Sequence, residues 1–82
     1  NAGIRPDDLV LIRRGDRAES GQIVACIVDG EAATLKRFRR QGEFVILQPE
    51  NPNYEPRILS IREFELGNAR LVGVAVRLMR NL

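Results

Sequence analysis

The feature that most constrains this 82-residue chain is a pair of apolar, β-branched stretches around a two-residue turn signal: Ile23 to Val28, then Asp29-Gly30, then a second arm ending in Lys36-Arg37-Phe38. Asp and Gly both tolerate the positive φ of a type I′ turn, so this segment predicts a β-hairpin. Period-2 alternation along the second arm places Thr34, Lys36 and Phe38 on one face and Ala33, Leu35 and Arg37 on the other. Two orientations compete. If Phe38 points to the core, Lys36 points with it; if Leu35 faces inward, Lys36 lies on a solvated basic face, the ordinary place for a lysine. The inward orientation is the one with chemical use, because removing an amine from water favours its neutral form, and a neutral amine is a general base.

Length allows one small domain, spanning 1–82, with a modest core. No apolar run approaches the length of a membrane span and no signal-peptide pattern is seen, so a cytoplasmic location is expected. The single cysteine, Cys26, has no partner for an internal disulfide and lies in an apolar strand run, where a small buried hydrophobe is expected. With no histidine and one cysteine, the usual zinc, Cys-His and Ser-His-Asp constellations are not available, and no cofactor is implied. Catalysis, if present, uses lysine, a carboxylate or a hydroxyl. The net charge is +2, with basic clusters at Arg13-Arg14 and from Lys36 to Arg40. Interspersed acidic residues and scarce aromatics argue against nucleic-acid binding by this segment itself.

Along the chain, Leu9 to Ile12 reads as a first strand and the Gly21 to Arg40 stretch as the long hairpin. Phe44 to Leu47 follows a tight connection, Gln41-Gly42-Glu43, so the second to fourth strands are expected to form a meander. Gln48 to Arg57 holds three prolines and two asparagines, which predicts an irregular surface loop. Ile58 to Phe64 reads as a further strand or edge segment, and Ala69 to Met79 as a long terminal strand. That last strand is apolar on both faces, which requires cover on both sides; a second subunit is the expected cover. Ser20 and Ser60 read as turn or solvated hydroxyls, and Asp7 and Asp8 as loop-stabilising carboxylates.

The run from Gly21 to Glu31, the stretch Thr34-Leu35-Lys36-Arg37-Phe38, the segment Leu47-Gln48-Pro49-Glu50-Asn51-Pro52-Asn53-Tyr54-Glu55-Pro56 and the closing Leu71 to Leu82 together closely resemble the C-terminal domain of LexA-like repressors. The resemblance covers nearly the whole chain in order. It implies a mainly β fold, the small LexA/UmuD-like C-terminal peptidase fold of antiparallel hairpins and a long C-terminal strand. It also implies a serine-lysine self-cleaving endopeptidase, in which a neutral lysine takes the proton of a serine that attacks a bond of the same polypeptide. By position, Lys36 matches the family's catalytic lysine, with one extra residue in Ala32-Ala33 relative to some members. The family's serine falls two or three residues before Asn1, so the chain as given is expected to cut nothing by itself. The implied partners are a second copy in a homodimer and a RecA-nucleoprotein filament, with operator DNA contacted only through an N-terminal domain outside this chain. That assigns the parent to transcriptional repression in the bacterial DNA-damage (SOS) response. A UmuD-like polymerase accessory subunit and a prophage repressor share the same lysine hairpin; Gln48 to Pro52 and the Arg80-Asn81-Leu82 ending favour the repressor. A non-catalytic small β-barrel that binds nucleic acid is a further alternative.

Overall fold

The computed structural model describes residues 9–79; residues 1–8 and 80–82 lie outside it, and with them the expectations for Asp7, Asp8 and the Arg80-Asn81-Leu82 ending. Among the described residues the elements are β1 (Leu9–Arg14), β2 (Ile23–Val28), β3 (Thr34–Gln41), β4 (Phe44–Pro49), β5 (Arg57–Ser60), α1 (Ile61–Glu65) and β6 (Ala69–Met79). The strands form one antiparallel sheet in the order β1-β6-β2-β3-β4-β5. The mainly β expectation and the β2-β3-β4 meander are both borne out. The chain then returns through β6, which inserts between β1 and β2.

Alternation along β2 organises the core. Val24, Cys26 and Val28 are buried, while Ile23, Ala25 and Ile27 point to the other face and are half-buried. Phe38 from β3, Val45 and Leu47 from β4, and Ala69 and Val74 from β6 complete the buried set. Ala18, Ile61, Phe64 and Leu71 pack over it. Each fully buried Val, Leu or Phe of this set contributes roughly 1.5–3 kcal/mol by leaving water.

The Ile58 to Phe64 segment begins as the expected edge strand and then departs from it. It pairs with β4 only as far as Ser60, whose hydroxyl accepts from the backbone N–H of Arg62 and so caps a helix. Glu63 lies three residues after this cap, the spacing of a capping box. The helix stops because Gly67 takes φ 82°, and the N–H groups of Gly67 and Asn68 bond to the carbonyls of Phe64 and Glu63. This short helix places Ile61 and Phe64 over the core.

β6 has the expected bounds, but its two apolar sets are interrupted. Ala25 pairs with Gly73 and Cys26 with Leu71, leaving Val72 as an extra residue; Leu11 pairs with Arg77 and Ile12 with Ala75, leaving Val76 as another. Each bulge exchanges the faces of the residues that follow. Gly73 has no substitute here, because a Cβ would run into the Ile12 side chain and lie 2.6 Å from the Arg13 carbonyl oxygen. Beyond the second bulge β6 pairs, among the described residues, only with β1, and Leu9, Leu11, Val76 and Met79 are exposed there. No helix among the described residues is long and apolar enough to cross a membrane.

Candidate functional site

The orientation of Lys36 is decided by the register of β2 against β3. Asp29 and Gly30 take φ 51° and 73°, and the N–H of Glu31 donates to the carbonyl of Val28 at 3.0 Å, as a type I′ turn requires. Continued without interruption, that turn would set Lys36 opposite Ile23, on the outer face. Instead Thr34 pairs with Cys26 and Lys36 with Val24. One residue, Ile27, separates Val28 from Cys26, while Ala32 and Ala33 separate Glu31 from Thr34, so the second arm carries one extra residue. The bulge shifts the register by one and turns Lys36 to the face of Val24 and Phe38. Of the two orientations left open by the sequence, the inward one is observed, with Lys36 half-buried.

Lys36 borders a cavity of about 310 Å³. Its floor is apolar, built from Cys26 and Val28 of β2 and Leu47 and Pro49 of β4. Thr34 and Glu31 line it from the β2–β3 hairpin, and Tyr54, Glu55 and Arg57 complete the wall from the chain that follows β4. The Pro-rich segment supplies that wall as an irregular turn: the N–H of Asn53 bonds to the Asn51 side chain at 2.9 Å and that of Tyr54 to the Asn51 carbonyl at 3.1 Å. Arg37, on the outer face, ties the base of this segment to the sheet by donating to the Gly21 carbonyl at 2.6 Å and approaching Glu50 at 3.7 Å.

Sequence reasoning gave no individual role to Arg57, Glu31, Tyr54 or Glu55. Arg57 opens the edge strand β5, and its guanidinium forks to the β2–β3 turn, donating from Nη1 to Glu31 at 2.9 Å and from Nη2 to Asp29 at 3.1 Å. These partners are 26 and 28 residues away in the chain, so no local pattern announces them. Cys26 sits under the same cavity, its thiol 3.7 Å from the Thr34 carbonyl. Burial pushes that thiol above its ordinary range, partly opposed by the Thr34 contact and by the positive charges of Lys36 and Arg57. The structure therefore supports the buried-hydrophobe reading of Cys26.

Residues 1–76 match the family described as Peptidase S24-like. The chain belongs to the S24-like peptidase family. A LexA repressor of Gluconacetobacter diazotrophicus is 46% identical over 76 residues, 93% of this chain and 30% of that protein. The chain thus spans less than a third of the length of this curated relative, and its resemblance to LexA-like repressors is borne out.

In this S24-like chain the two serines hold backbone groups. Ser20 accepts from the N–H of Arg40 at 2.9 Å, and Ser60 caps α1. Neither borders the Lys36 cavity. The basic run from Lys36 to Arg40 is divided by strand alternation: Lys36 and Arg40 lie on the face of Phe38, Arg37 and Arg39 on the other. Arg37 and Arg40 also donate to the carbonyls of Gly21 and Gly42. The run is therefore not one continuous basic surface of the kind a phosphate backbone needs.

Proposed function

We propose that the chain is the self-cleaving, dimerising C-terminal domain of a LexA-like repressor, with Lys36 as the general base for a serine that precedes Asn1 in the parent protein. One observation carries the reading: the sequence position that matches the family's catalytic lysine is turned inward by a bulge, onto an apolar-floored cavity large enough for a few atoms of peptide. A lysine so placed has few structural uses. An amine beside a serine hydroxyl can accept its proton without histidine, and apolar walls favour the neutral base. The 46% identity to a protein called LexA repressor supports repression rather than a polymerase accessory role.

Dimerisation is supported by a separate observation. Leu9, Leu11, Val76 and Met79 expose apolar surface on the β1–β6 ribbon, where a second copy would bury it. In this reading the dimer links two operator-binding domains, and self-cleavage, promoted by a RecA-nucleoprotein filament as in the family, unlinks them. Operator binding then weakens because two half-sites lose their shared reader.

The test is self-cleavage of the parent protein at alkaline pH, with and without Lys36→Ala, read by fragment mass. Raising the pH increases the neutral fraction of an amine base, so cleavage of the parent is expected to speed up and the variant to stay whole. Equal cleavage of both would remove Lys36 from the chemistry.

A further inference from the structure

We propose that Arg57 is a positioning residue that sets the charge around Lys36, engaging the Glu31 carboxylate at the cavity wall so that this carboxylate does not stabilise the Lys36 ammonium. This rests on reading Lys36 as a general base. Glu31, Lys36 and Arg57 border one cavity, and Arg57 grips Glu31 and Asp29 with separate nitrogens. The other ionisable groups facing Lys36 there are Cys26 from β2 and Tyr54 and Glu55 from the segment before β5; among the described residues β1, β6 and α1 contribute no lining residue.

A purely structural role fits Arg57 poorly. Its side chain is 44% exposed and the two carboxylates are 63% and 64% exposed, and pairs in such surroundings add little to stability. Their effect on a neighbouring charge is another matter. Removing Arg57 leaves two carboxylates uncompensated, one of them on the cavity wall, which favours the ammonium. Removing Glu31 leaves Arg57 with Asp29 alone, which favours the neutral amine. The two changes act in opposite directions on the same group.

Lys36 is the sole lysine of the sequence, so its side-chain ¹³Cε resonance can be titrated without assignment. In this chain, Arg57→Gln is expected to move the Lys36 ¹³Cε titration to higher pH and Glu31→Gln to lower pH, both shifts contracting at high salt. Arg57→Lys, which keeps the charge and loses the fork, is expected to restore the parent midpoint. Opposite shifts support the proposal; midpoints that stay put, or move the same way, overturn it. Glu31→Gln alters an exposed side chain and decides the matter even if Arg57→Gln does not fold. The pH profile of self-cleavage in the same variants of the parent protein separates the two readings. If the resonance moves and cleavage does not follow, Lys36 is not the base and the charge-setting role stands. If the resonance does not move, the role fails whatever cleavage does.

Discussion

The two hairpins that share β3 are built to different rules. Between β3 and β4 the pairing runs without interruption from Lys36 with Pro49 to Gln41 with Phe44, closed by Gly42-Glu43. Only Gly42 needs a positive φ, 58°, which fits a turn with glycine first. Between β2 and β3 the Asp29-Gly30 turn sets one register and the strands use another, with the extra residue of Ala32-Ala33 absorbing the difference. The regular hairpin carries Phe38, Val45 and Leu47 into the core. The irregular one does that and also brings a lysine to the inner face. A bulge is how the chain satisfies a turn and a core that disagree by one residue, and the site sits where they disagree.

Phe38→Ala strikes a side chain that both hairpins carry into the core and has the largest expected effect: losing a buried phenyl costs about 3–5 kcal/mol, so the urea midpoint should fall sharply. Deleting Ala33 attacks the difference between the hairpins itself. Without the extra residue the Asp29-Gly30 turn still sets Thr34 opposite Cys26 and Lys36 opposite Val24, so Phe38 keeps its place and the expected cost is about 1 kcal/mol or less. Inserting one alanine after Gly42 lengthens an exposed turn between strands already in register, at a similar expected cost. If deleting Ala33 proves as damaging as losing the phenyl, the extra residue does more than absorb the difference between turn and strands.

The same device recurs on the other side of β2, where Val72 is the extra residue and Gly73 lies against β1. Gly73→Ala puts a methyl group onto the Ile12 side chain and the Arg13 carbonyl. Because one of those partners is backbone, the strands must part, at an expected cost of about 1–3 kcal/mol in thermal or urea unfolding. Loosening of the β1–β6 ribbon should accompany it as faster amide exchange in β1 than in β4.

How much of this was legible in the sequence follows from how local each signal is. Asp29-Gly30, the connection through Gly42 and the apolar alternation of β2 act over a few residues, and the meander was read from them. The face of Lys36 was not decidable, because alternation fixes only which residues share a side and the deciding bulge appears only against β2. That β6 is apolar on both faces was visible, but its two interruptions depend on different partner strands. The Ser60 helix was missed although Ser60, Glu63 and Gly67 are ordinary start and stop signals, since the apolar run Ile58-Leu59 suggested a continuing strand. The Arg57 clasp had no sequence signal; it exists because β5 lies on the far side of β3 and β4 from the turn it grips.

Two smaller effects sharpen the contrast. Ser60→Ala removes the α1 cap beyond the regular hairpin and is expected to cost about 1 kcal/mol, without touching the Lys36 cavity. Cys26 tests the irregular hairpin instead. Its thiol is raised by burial in the fold, so the unfolded chain loses this proton first as pH climbs. The stabilisation is complete below the unfolded thiol's range, near pH 8.5, and is lost as pH rises through the higher folded value. Unfolding free energy measured across the alkaline range should therefore decline more steeply for the parent chain than for Cys26→Ala, although the variant starts lower from its lost packing. Alkylation of Cys26 in the folded chain should likewise lag behind that in urea, since burial disfavours the thiolate that reacts. If native and unfolded chains alkylate at the same rate, the cavity floor is open to solvent and the shelter that the bulge gives to Lys36 is smaller than its position suggests.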